Sequence, residues 1–122
     1  MYIRFVVGGD QEHHKQLTGI VSESRLLRDH GALLAYEEEL VEQAYHWLNS
    51  NLPCPPFHSG GWSKDAVCWF KDSALEAIKQ MRVLTNLLRQ HDIPVRILHS
   101  KNPGKILYED HFQVVVEEWK AI

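Results

Sequence analysis

The stretch from Ala66 to Leu98 constrains the fold more than any other part of the chain. Ala66-Val67-Cys68-Trp69-Phe70 is an unbroken apolar run of strand length, and Val95-Arg96-Ile97-Leu98 is a second run behind Pro94. Between them Ala74, Ala77, Ile78, Met81, Leu84 and Leu88 repeat with a helical period and make one apolar stripe, widened by Leu75 and Leu87. Ser73-x-x-Glu76 reads as a capping box opening that helix. A stripe so wide is core surface. The spacing therefore predicts strand–helix–strand, with the two strands parallel through a right-handed crossover.

The flanking segments supply the rest of a sheet. Tyr2 to Val7 is rich in β-branched and aromatic residues and is stopped by Gly8-Gly9. From Leu17 to His30, Leu17, Ile20, Val21, Ser24 and Leu27 fall near one helical face, and Gly31 is placed as a left-handed C-terminal residue. Tyr36, Leu40, Ala44, Trp47 and Leu48 set a second helix, whose first turn holds Glu37, Glu38 and Glu39 where the helix dipole favours negative charge. Pro53 ends it. Residues 49–65, with three prolines and the pair Gly60-Gly61, form one long irregular stretch of the kind that is either functional or poorly ordered. Asn102-Pro103-Gly104 is a turn, and Ile106-Leu107-Tyr108 with Phe112 to Val116 makes a hairpin closed around Glu109-Asp110-His111. The order β-α-α-β-α-β-β-β predicts one α+β domain over residues 1–122. Its sheet is mixed, mainly antiparallel and four- to five-stranded, with helices packed on it.

Composition removes several functional classes. With 122 residues, 44% of them apolar or aromatic, the chain can withdraw roughly two-thirds of its unfolded surface from water but cannot build two cores. No apolar run reaches the ~20 residues of a membrane span. Met1 to Asp10 has neither a basic nor a long apolar leader pattern, which points to a cytoplasmic protein. The formal charge is −3, and neither half of the chain supplies the positive field that dominates nucleic-acid affinity. Arg82, Arg89, Arg96, Lys101 and Lys105 are the residues from which a local basic patch could be made. Cys54, set among prolines, and Cys68, in the apolar strand, read as two free thiols rather than a disulfide framework.

Four segments carry a resemblance. Met1-Tyr2-Ile3-Arg4-Phe5-Val6, Arg28-Asp29-His30-Gly31, Ala66-Val67-Cys68-Trp69-Phe70 and Pro103-Gly104-Lys105-Ile106-Leu107-Tyr108-Glu109-Asp110 occur here in the order found in a group of small uncharacterised bacterial proteins. The chain resembles that group over most of its length. What the resemblance implies is a bacterial, cytoplasmic origin. It brings no catalytic residue with it, and His111 stands where the group carries a further carboxylate.

Three constellations could carry chemistry. Tyr108, Glu109, Asp110 and His111 put a phenol, two carboxylates and an imidazole at one hairpin, where they could meet His58 and Trp62 from the long loop. Strand alternation opposes part of this set, because Tyr108 and Glu109 should point to opposite faces. Asp10, His13 and His14 have the spacing of a two-histidine, one-carboxylate metal site if that segment is helical, although Gly8-Gly9 favours a loop. Trp62 and Tyr108 are the candidate binding aromatics. No cofactor motif is present. The leading expectation is a non-catalytic protein-binding or regulatory module, working on a protein partner or as a homodimer. The alternatives are a small hydrolase-like enzyme using Glu109, Asp110 and His111 with His58 or with the Asp10, His13 and His14 group, and a weak nucleic-acid binder.

Overall fold

The computed structural model describes residues 1–8, 18–56, 61–62 and 66–118. In chain order the elements are β1 (Tyr2–Val7), β2 (Thr18–Gly19), α1 (Ile20–Asp29), α2 (Ala35–Asn51), β3 (Ala66–Lys71), α3 (Leu75–Gln90), β4 (Val95–Ser100), β5 (Lys105–Glu109) and β6 (Gln113–Glu117). Apart from the two-residue β2, this is the element order read from the sequence.

The sheet runs β4-β1-β3-β6-β5, with β2 beside the far end of β1, and every pairing is antiparallel. Since β3 and β4 are each antiparallel to β1, they run parallel to one another with β1 between them. β1 pairs with β4 along all six of its residues but with β3 only through Tyr2↔Lys71 and Ile3↔Phe70. From Val6 onward β2 takes over that edge. The sheet is therefore split between Arg4-Phe5 on one side and the middle of β3 on the other.

Strand alternation gives the sheet two apolar faces. On the first, Ile3, Phe5 and Val95 meet Ile20 of α1, Val41, Ala44 and Leu48 of α2, and Ile78, Met81, Leu84, Leu87 and Leu88 of α3. On the second, Trp69, Val114 and Val116 form a smaller cluster with Tyr2, Val67 and Leu98. The α3 stripe is buried as its spacing requires, with one exception. Leu75, the first helical residue, is 75% exposed. The capping box is also not formed: the N-cap is Ala74, and the Glu76 carboxylate accepts a bond from Gln80 instead. The cause is local, because the Ala74 N–H is held by the Lys71 carbonyl in a turn leaving β3, so Ser73 is still outside the helix.

The second helix departs from expectation in which side it buries. Glu37, Val41, Ala44 and Leu48 face the core, while Tyr36 and Leu40 are 58% and 39% exposed. Glu37 tolerates burial because its carboxylate is used twice. It accepts the Leu34 N–H at 3.0 Å, satisfying an orphan donor at the helix start, and faces His91 Nε2 at 2.9 Å across the α2–α3 contact. Those two bonds hold the Glu37 carboxyl below its ordinary range. On α2's other flank Glu42 pairs with Arg28 of α1.

Candidate functional site

β5 and β6 bring the hairpin groups together through a one-residue irregularity. Ile106 stands opposite Val116 and Tyr108 opposite Val115, so Leu107 is the extra residue of a β-bulge. Cross-strand partners share a face. The bulge thus sends Ile106 to the Val116 side and Tyr108 to the Val115 side, which uninterrupted alternation would not do. Glu109, opposite Val114, points away from Tyr108 and pairs with Lys71.

On the Tyr108 side lies a compact polar network. Asp110 Oδ1 accepts the backbone N–H groups of Phe112 at 2.8 Å and Gln113 at 3.0 Å, closing the turn. Its Oδ2 accepts the Tyr108 hydroxyl at 3.0 Å and Gln113 Nε2 at 3.1 Å. Four donors occupy the four acceptor positions of a carboxylate. Burial pushes the Asp110 pKa up, but the bonds from Phe112, Gln113 and Tyr108 outweigh it, and the net shift is downward. Gln113 is buried and extends the network in two directions. Its Nε2 also donates to the Pro53 carbonyl at 2.8 Å, and its Oε1 accepts the Cys68 thiol at 3.5 Å. The chain leaving α2 is in this way fastened onto the hairpin, and Trp62 lies 6.0 Å from the Tyr108 ring at a 51° tilt.

The electrostatics are those of a proton-holding scaffold. Burial, followed by the nearby Asp110 charge, pushes the Cys68 thiol up to about 12. The bond to Asp110 raises the Tyr108 phenol above its ordinary value. Both groups keep their protons at neutral pH, and Asp110 remains ionised. A general base needs a free lone pair and a pKa near the working pH, and Asp110 has neither.

The sequence candidates divide accordingly. Tyr108, Asp110 and Trp62 come together. Glu109 is turned to the opposite face, and His111 is exposed, with its ring 5.8 Å from Phe112 beside an open depression of about 460 Å³ at the start of α3. Asp10, His13, His14 and His58 lie outside the described residues. Among the described residues no group of three histidine, cysteine or acidic side chains could hold a metal ion. Cys54 and Cys68 are both free thiols. Of the basic residues, Arg89 donates to the Val95 carbonyl at 2.9 Å, Arg96 is half-buried, and Arg82, Lys101 and Lys105 are exposed. Among the described residues no helix is long and apolar enough to cross a membrane. Sequence reading passed over Gln113 as a site residue. Its signal was a lone amide inside the apolar run from Phe112 to Val116, where a buried polar side chain must find partners.

The two depressed carboxylates set an acid dependence. For both Glu37 and Asp110 the native pKa lies below the unfolded reference values of 4.5 and 3.8. Their contribution is complete above those references and is lost as pH falls through the lower native values. The urea midpoint is expected to drop between roughly pH 5 and pH 3, and Glu37→Gln and Asp110→Asn are each expected to flatten the fall. A midpoint independent of pH across that window would contradict the assignment.

Comparison with protein families, curated proteins and solved structures finds no match for this chain.

Proposed function

We propose that the protein is a non-catalytic module that works through protein contact, with self-association as its primary mode. The observation that carries this reading is the flank of α2. Tyr36 and Leu40 are exposed one turn apart, 58% and 39%, on the side of the helix turned away from the core. A large aromatic side chain such as Tyr36, presented by a rigid helix beside an apolar neighbour, is a usual anchor of a protein interface. The hairpin network supports the reading from another side, since its carboxylate, Asp110, is saturated by the protein's own donors. Tyr108 and Trp62 meet there ring against ring.

Sedimentation equilibrium and light scattering test the proposal directly. The wild-type chain is expected to approach twice its monomer mass at concentrations up to about 1 mM, the range that captures weak dimers. Tyr36→Glu with Leu40→Glu is expected to return the monomer with an unchanged circular dichroism spectrum. A wild-type monomer throughout the range would refute self-association, and so would a dimer indifferent to the paired substitution.

A further inference from the structure

Where β1 and β3 part, the sheet is cut by a slot. The described residues lining it are Arg4, Phe5, Val6, Gly19, Val67, Cys68, Phe70 and Met81, and its volume is about 280 Å³. Alternation places Phe5, Cys68 and Phe70 on the helix side and Arg4, Val6 and Val67 on the other. The lining thus comes from both faces of the sheet, and on the helix side the Phe5 and Phe70 rings meet edge to face at 6.3 Å, with Met81 of α3 also in the lining. The slot is open to solvent at its mouth, and its volume leaves room for a six- to eight-carbon body, since even an enclosed apolar cavity of about 150 Å³ accepts benzene.

Arg4 is the charged group of the slot. Its side chain is 13% exposed, and burial lowers its pKa, which marks a cation stripped of much of its water. A guanidinium carries five N–H donors. Among the described residues Arg4 has a single acceptor, Glu118 Oε1, at the long distance of 3.4 Å. A guanidinium withdrawn from most of its water and held by one long bond among the described residues, at the edge of a mostly apolar slot, is matched by one kind of small molecule. We propose that the slot binds a monocarboxylate with a compact apolar body, its carboxylate on Arg4 and its hydrocarbon among Phe5, Val67, Phe70 and Met81. The planar fork of arginine suits a carboxylate in bidentate contact. The thiol of Cys68 stays protonated and contributes a neutral wall. This inference stands independently of the protein-contact reading.

Sodium benzoate and sodium hexanoate are the probes, with benzamide and hexanamide as neutral controls. Calorimetry is expected to give saturable binding of a carboxylate with a Kd of roughly 1 mM or below. Methyl NMR shifts should be concentrated on Val6, Val67 and Met81. Arg4→Gln is expected to weaken binding about tenfold, the scale of one lost charge-assisted pair, and the amides should bind correspondingly less well than the acids. Val67→Phe, which fills the slot from a half-buried strand position, should abolish binding even if Arg4→Gln does not fold. No saturation by either acid, shifts centred elsewhere, equal binding of the amides, or binding retained by Val67→Phe would overturn the proposal.

Discussion

Leu84→Ala is expected to lower the unfolding free energy by about 2–5 kcal/mol, the range for truncating a leucine in a close-packed core. Leu84 is 1% exposed and stands in the middle of α3, within the cluster that joins all three helices to the sheet. Little can collapse into the space it leaves, because other members of the cluster, Leu87, Leu88, Ala44 and Val41, are themselves at most 2% exposed and close-packed. In a domain of this size each kcal/mol displaces the melting temperature by roughly 4 °C, so the variant should melt about 8–20 °C early. The control lies on the same helix. Leu75→Ala removes an equal side chain from a 75% exposed position and should change stability by no more than about 0.5 kcal/mol. Thermal and urea unfolding of the pair checks which way α3 faces, and comparable losses in both would refute the packing described here.

Gly104→Ala should be the second severe change. Gly104 precedes β5 and lies against the end of β6, where a Cβ would meet the Glu117 carbonyl oxygen at 2.3 Å and its carbon at 2.8 Å. The obstructing atoms are backbone, so no side-chain rotation relieves the clash, and the β5–β6 ladder itself must move. A loss of about 1–3 kcal/mol, the usual cost of overpacking, is the lower end of what is expected. The urea midpoint should fall with the slope preserved if the strands re-seat, and the slope should fall too if β5 detaches. Gly19→Ala is the contrast, since among the described residues nothing lies within 4 Å of its Cβ and its φ of −79° suits any residue. A stable Gly104→Ala would mean the two strands do not approach as described.

These outcomes separate what the sequence could reveal from what it could not. The α3 stripe was legible because its apolar side is continuous and its opposite side polar, so only one orientation removes it from water. The hairpin was legible from turn chemistry, and Asp110 occupies the turn for the reason such residues do: its carboxylate binds backbone N–H groups two and three residues ahead. The second helix defeated periodicity. It carries apolar residues on two sides, Val41, Ala44 and Leu48 on one and Tyr36 and Leu40 on the other, and only packing against α1 and α3 decides between them. Glu37 entered the buried side because Leu34 and His91 wait there with donors, a tertiary fact with no local signature.

The candidate site was half visible for a related reason. Alternation correctly separated Tyr108 from Glu109. It could not foresee that Leu107 would break the count and turn Tyr108 toward the chain leaving α2. Nor could residue types announce that one amide, Gln113, would join the Pro53 carbonyl, Asp110 and Cys68. Such networks are assembled from residues remote in sequence, and what local reading can register is an isolated polar side chain in an apolar run.

The bulge has one more effect, on what the molecule avoids. β5 is the terminal strand of the sheet, and a straight terminal strand offers its spare amides and carbonyls to any passing chain as a template for fibrous stacking. The inserted Leu107 throws those groups out of step, so an incoming strand that bonds to one half of β5 is misaligned with the other. The residue that aims Tyr108 also keeps that border of the sheet from growing.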